Sequence, residues 1–314
     1  MSTGHEDLLD ELRPAVFAVA YRMLGSVAEA EDVVQEALLR LHRALEEGEA
    51  IESPRAYAAT VATRLAIDQL RSARARRESY VGEWLPEPIV TAPADDPARQ
   101  AEMVDSLSLA FLVLLESLSP EQRAVLLLRD VFDYDYGEIA RIVGKSEDAV
   151  RQLAVRARKH VEERRPRFET SREQRDELAR RFFAAAQEGD LGALEALLAH
   201  DVTLHGDGGG KAPQLARSLQ GRSRVARTLL AWMRAGARIA GASFRQVEVN
   251  GQPGALLLDR DGGLISVMAL EIAGGRVQSV SSVINPDKLG HIGTLTQYRA
   301  RGSGHVDRAR PGRS

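Results

Sequence analysis

The chain contains no cysteine. That removes disulfides, thiolate metal ligands and thiol catalysis together, and it fits a reducing cytoplasm. No apolar run approaches the ~20 residues that a membrane helix requires. The opening residues, MSTGHEDLLDELRP, are polar and acidic and lack the apolar core of a signal peptide. These absences predict a cytoplasmic protein with no membrane partner. An excess of one charge is missing too. The formal net charge is −3, which on its face argues against nucleic acid. Binding depends, however, on where charges cluster rather than on their total. No internal repeat is present.

What is there is a globular composition, 44% hydrophobic and 28% charged over 314 residues, enough for two or three domains. Leu8, Leu12, Val16, Val19 and Met23 fall at helical spacing, as do Val34, Leu38, Leu41 and Leu45. A helix opening at Ser53-Pro54 runs to about Arg77. Residues 81–99 carry Pro86, Pro88, Pro93 and Pro97 and read as a linker. Helical periodicity returns with Val104, Leu107, Phe111 and Leu114. Ser119 then caps a helix with Pro120 at its first position. Beyond about residue 170 two helical segments precede SFRQVEVNG, GALLLDRDGG, ISVMALEIAGG and RVQSVSSVIN. These alternate or run apolar between turn signals, so an antiparallel sheet in an α+β domain is expected. The expected divisions are 1–80, 81–99, 100–168, 171–290 and a disordered Gly/Arg-rich tail, 291–314.

YGEIARIVGKSEDAVRQLAVRARKHVEERR, residues 136–165, carries the clearest mechanism. A short helix meets a Gly144-Lys145 turn, and Ser146 caps a second helix. Ile139, Ala140 and Val143 can pack on Val150, Leu153, Ala154 and Ala157. The opposite face presents Arg151, Gln152, Val155, Arg156, Arg158 and Lys159. A helix packed on one side and basic on the other fits a major groove, where Arg and Gln reach guanine and adenine edges. A plain helical hairpin with a solvated basic face is the alternative. A second basic cluster, Arg64, Arg71, Arg74, Arg76 and Arg77 beside Asp68, favours two DNA-contacting modules.

With these segments in order, the first 165 or so residues resemble sigma factors of the extracytoplasmic-function type. AYRMLGSVAEAEDVVQEALLRLHR resembles the segment that binds the clamp helices of RNA polymerase, which implies Asp32, Gln35 and Glu36 as core-binding residues. Those carboxylates suit a partner-binding helix face better than a metal site. SPRAYAATVATRLAIDQLRSARARR resembles the helix that engages the minus-ten promoter element. The helix-turn-helix resembles the minus-thirty-five reader. WLPEP (Trp84, Leu85, Pro86, Glu87, Pro88), DGGGK (Asp207, Gly208, Gly209, Gly210, Lys211) and NPDKL (Asn285, Pro286, Asp287, Lys288, Leu289) resemble the subgroup with a fused SnoaL-like domain. That resemblance implies two all-α sigma domains followed by an α+β cone with a curved antiparallel sheet. It also implies regulation in cis, in place of a separate anti-sigma protein, and partners in core polymerase and promoter DNA.

DGGGK itself invites a phosphate-loop reading. A P-loop requires GxxxxGK[ST], whereas here the glycines are contiguous and Lys211 precedes Ala212. The remaining readings are a turn needing positive φ and a docking loop for the WLPEP segment, with a Lys211–Glu87 contact and a Trp84 anchor. Some SnoaL-like folds are isomerases or cyclases, so Asp201, His205 and Asp207 are the candidate bases. Fold does not imply function. The expectation is a non-enzyme without cofactor or metal, its pocket ligand unassigned. An autonomous ligand-sensing regulator is the alternative, and an enzyme comes after it.

Overall fold

Local chemistry sets the helix boundaries. The computed structural model describes residues 3–78, 80–91, 107–162 and 171–296; the side chains of Arg74, Arg76 and Arg77 lie outside the described residues, as does the chain beyond 296. Helices α1 (Thr3–Leu24), α2 (Val27–Glu46) and α3 (Pro54–Glu78) form a bundle. Ser26 caps α2 by accepting from the Glu29 amide. Next come α4 (Leu109–Leu115), α5 (Pro120–Asp130), α6 (Tyr136–Val143) and α7 (Glu147–Glu162). Ser119 with Gln122, and Asp135 with Glu138, close reciprocal capping boxes on α5 and α6. Gly144 ends α6 at φ +67°, the left-handed residue that the tight turn needs. The Ser146 hydroxyl accepts from the Ala149 amide at the start of α7.

The two helical groups share a core. Val16, Ala20, Leu41 and Ala66 cluster with Leu112, Leu115, Leu127 and Val161. Arg123 is buried within it, pairing with Glu116 at 2.8 Å and donating to the Met23 carbonyl at 2.6 Å and the Leu115 carbonyl at 3.1 Å. Burial pushes its guanidinium down to about 9, so it is charged at neutral pH and fully partnered.

The C-terminal half opens with α8 (Arg172–Glu188) and α9 (Leu191–Leu197). Strands β1 (Val90–Thr91), β2 (Leu198–Asp207), β3 (Leu219–Gln220), β4 (Ser243–Val249), β5 (Gln252–Leu258), β6 (Leu264–Ala273) and β7 (Arg276–Val283) form one sheet in the order β1-β4-β5-β6-β7-β2-β3. Helix α10 (Arg222–Ala240) packs on it. The β4–β5 and β6–β7 hairpins turn on Asn250-Gly251 and Gly274-Gly275, each with both residues at positive φ. The α+β architecture is as expected, but the sheet is mixed rather than wholly antiparallel: β2 runs parallel to β7. Helix α10 and the β4–β6 meander separate these two strands in sequence, so a crossover is available.

Both sheet faces are covered. One carries Ala255, Leu257, Met268 and Leu270 against α8 and α10. The other carries Val249, Leu256, Val267 and Val283 against Leu85 and Leu109. Double coverage explains the continuous apolar runs GALLL and ISVMAL, since a half-exposed sheet would alternate. Residues 90–91 of the proline-bearing segment join the sheet edge beside β4. Packing also continues past residue 290: Leu295 bridges Leu264, and the Thr296 hydroxyl bonds Asp259.

Candidate interdomain seam and nucleic-acid interface

Asp207 ends β2 and is fully buried. One carboxylate oxygen accepts from the Tyr80 hydroxyl at 2.6 Å. The other accepts from the Leu85 amide at 2.8 Å and from Lys288 Nζ at 2.7 Å. Lys288, also buried, donates to the Leu85 carbonyl and lies over the rings of Trp84 (4.3 Å) and Tyr80 (4.9 Å). The Asp207 carbonyl accepts from the Ile284 and Asn285 amides, and Asn285 Nδ2 donates to the Tyr80 hydroxyl at 2.8 Å. Burial, followed by the bond to Asp207, pushes the Tyr80 phenol above its ordinary range. WLPEP, DGGGK and NPDKL thus meet in one hydrogen-bonded network.

The glycines make that approach feasible. A Cβ on Gly209, at φ +57°, would stand 2.2 Å from Asn285 Nδ2, and one on Gly208 would stand 2.3 Å from the Ala212 carbonyl oxygen. Gly210 faces Val81. Pro286 opens a short 3₁₀ turn that brings Asp287 and Lys288 round, and Leu289 is buried behind it.

The expected Lys211–Glu87 contact is absent. Lys211 pairs with Asp287. Glu87 instead caps the start of α2, accepting from the Ser26 hydroxyl at 2.8 Å and the Val27 and Ala28 amides at 2.7 and 3.3 Å. Pro86 packs beside Gly25, and the Pro88 carbonyl accepts from His291 Nε2. A second polar chain escaped the sequence reading. The Tyr21 hydroxyl donates to the Glu87 carbonyl, Asn250 Nδ2 donates to the Tyr21 oxygen at 2.7 Å, and Asn250 Oδ1 accepts from the Ile89 amide at 2.8 Å. Asn250 had only a turn signal, Asn-Gly, to mark it.

On α7, Val150, Ala154 and Ala157 face inward while Arg151, Gln152, Val155, Arg156 and Lys159 are exposed. Arg151 stacks 4.4 Å from the Tyr136 ring and pairs with Glu147. Arg158 departs from expectation: Asp130 grips it in a two-pronged pair, which raises its already high pKa, so in this arrangement it does not project freely. Nor do Arg64 and Arg71 of α3. Arg64 donates to the carbonyls of Arg141 (2.8 Å) and Ile142 (2.9 Å), at the C-terminal end of α6. Arg71 bridges Asp68 at 3.2 Å and Glu121 at 2.6 Å. Asp68 is exposed, as are Asp32 and Gln35 on α2, where Glu36 pairs with Arg40 and Leu39 lies open beside them.

Hydrogen bonding to Arg71 holds Glu121 below the usual carboxylate range. A depressed acid contributes stability above its unfolded value, about 4.3, and loses it as pH falls through the lowered folded value. The urea midpoints of wild type and Glu121→Gln should therefore differ slightly at neutral pH and converge in acid. Added salt should shrink the difference, because Arg71 is exposed.

Between α8, α10 and the facing side of the sheet lies a cavity of about 790 Å³. Asp201, His205 and Asp207 do not line it. Asp201 is exposed, His205 pairs with Glu83 at 2.7 Å, and Asp207 is committed to the seam. Among the described residues no group of three or more metal-ligating side chains is gathered, and no helix is long and apolar enough to cross a membrane.

A helical bundle with an exposed acidic face, a helix-turn-helix with an exposed basic one, and an appended α+β domain define a sigma-type architecture. Residues 8–76 match Sigma-70 region 2, and residues 108–161 match Sigma-70, region 4. The chain is 39% identical to the ECF RNA polymerase sigma factor SigJ of Mycobacterium tuberculosis over 288 residues, 89% of this chain and 91% of that one. It is 32% identical to a probable ECF RNA polymerase sigma factor, SigI, of the same species, over 86% of this chain and 90% of the relative. The crystal structure of M. tuberculosis SigJ superposes with a TM-score of 0.72 at 36% identity, covering 90% of this chain and 98% of that one. The chain belongs to the extracytoplasmic-function RNA polymerase sigma factors, and its C-terminal half has the SnoaL-like fold.

Proposed function

We propose that this protein directs core RNA polymerase to its promoters and that its C-terminal domain controls it in cis through the seam. The observation that carries this is the convergence of Tyr80, Leu85 and Lys288 on the buried carboxylate of Asp207. One side chain ties the segment following α3 to the SnoaL-like fold. Residues 1–80 serve as sigma domain 2, 100–168 as sigma domain 4, and 81–99 as the connection, which the C-terminal domain grips through residues 81–91. Asp32, Gln35 and Glu36 contact the polymerase. Arg151, Gln152, Arg156 and Lys159, beside Val155, read or follow the upstream element.

The arrangement described is closed. Asp68 and the basic end of α3 serve the downstream element together with Arg64 and Arg71, once Arg64 leaves the α6 carbonyls and Arg71 leaves Glu121. Shared apolar packing between the two helical groups makes closure the resting state, and polymerase separates them. No additional anti-sigma protein is needed for such a device. Catalysis is disfavoured because the three candidate bases stand outside the cavity.

Transcription in vitro with core enzyme tests the reading. Removal of residues from 171 onward should change promoter output markedly. Arg156→Ala should cost about 1–3 kcal/mol at one base and relax preference there, whereas Lys159→Ala should weaken all promoters alike. Equal output from full-length and truncated protein would overturn control in cis. Tight binding of the free chain to a palindrome would instead favour an autonomous regulator.

A further inference from the structure

We infer that the cavity in the C-terminal domain is a binding site for an uncharged, mainly apolar small molecule carrying one or two hydrogen-bonding groups. Its volume of about 790 Å³ falls in the range of about 300–1,000 Å³ typical of small-molecule sites. Phe182, Trp232 and Phe244 give it aromatic walls. Polar groups are few and convergent. Gln214 reaches Ser282 only through long contacts, 3.4 and 3.5 Å, so a ligand acceptor can take over its amide protons. Among the described residues Lys211 is the one charged residue on the wall, and Asp287 already holds its ammonium. A charged ligand would enter without a free counter-charge, which is costly in an apolar space.

The site also adjoins the seam. Gly210 and Lys211 line the cavity directly after the seam glycines, and Ser282 and Ile284 line it directly before Asn285. Gln214 occupies the space that a side chain at residue 206 would fill: a Cβ there would lie 2.5 Å from its Cδ. Occupancy therefore bears on the backbone that presents Asp207. This link to the seam rests on the regulatory reading above; binding itself does not.

N-phenyl-1-naphthylamine, a neutral fluorescent probe, tests the site on the full chain. Trp232 in the wall is the energy donor, and Trp84→Phe removes the other tryptophan. Saturable binding near one per chain is expected. It should weaken at least tenfold in Ser266→Phe, which fills the cavity, and in Ala235→Phe, at an exposed position of its lining. Circular dichroism and melting of the Ala235 variant should match wild type. Non-saturable binding, binding by both filled variants as tight as by wild type, or tighter binding of the sulfonated analogue 1-anilinonaphthalene-8-sulfonate would overturn the proposal. In Trp232→Phe, saturating probe should shift Trp84 emission, because Lys288 sits on that ring. An unmoved Trp84 alongside normal binding would overturn the link to the seam, whatever transcription shows.

Discussion

Asp207→Asn is expected to destabilise the protein by about 3–5 kcal/mol, the range for breaking a buried ion pair from one side. The substitution keeps the shape but leaves Lys288 buried without its carboxylate. The Trp84 and Tyr80 rings relieve only part of that charge. Lys288→Met should also be damaging, since it strands Asp207. The double variant Asp207→Asn/Lys288→Met should be less destabilised than the two single effects summed, because neither charge is then orphaned. Urea unfolding measures the stability, and amide exchange at Leu85 reports the seam locally. Wild-type midpoints in both single variants would show that the pair does not hold the two halves.

Gly209→Ala should be nearly as harmful without removing any polar group. The residue sits at φ +57°, which costs an alanine about 1–2 kcal/mol. Its methyl would also collide with buried Asn285, and overpacking typically adds about 1–3 kcal/mol. Gly48→Ala is the control, at φ +76° but in open space, so it carries the backbone strain alone. Promoter output of Gly209→Ala should move in the same direction as that of Asp207→Asn. Stability losses of equal size at Gly48 and Gly209 would reduce the loop to an ordinary turn.

Much of this was legible in the sequence because it is local. Ser119-Pro120, Asp135 with Glu138, and Gly144 announce helix ends through contacts spanning three or four residues. Strands β4 to β7 show equally well, as alternating or continuous apolar runs between turn signals. The direction of β2 does not, because a period of two is the same for parallel and antiparallel neighbours. Helix α10 passed unnoticed among its arginines, although its inner face carries Val225, Ala226, Leu229 and Leu230. Pairing was the harder problem. The co-occurrence of their motifs suggests Glu87 for Lys211, yet Glu87 meets the N-terminus of α2 and Lys211 meets Asp287. Arg64, Arg71 and Arg158 looked like free readers of DNA in a basic run. Which arginine finds a carboxylate or a carbonyl depends on the other helical group, and nothing in a single helix encodes it. Tyr80 and Asn250 carried too little local signal to be named, for the same reason.

The double coverage of the sheet limits how the protein can open. Val249, Leu256, Val267 and Val283 form a contiguous apolar row, and Leu85 is fully enclosed against it. A C-terminal domain that simply let go would present that row to water, the kind of patch that drives association. Release is therefore an exchange of surfaces rather than a dissociation: whatever draws the proline-bearing segment away must leave the row covered, by polymerase, by another part of the chain or by a second molecule. Under the proposed control in cis, activation should then be sensitive to the concentration of that replacement surface and not only to the strength of the seam.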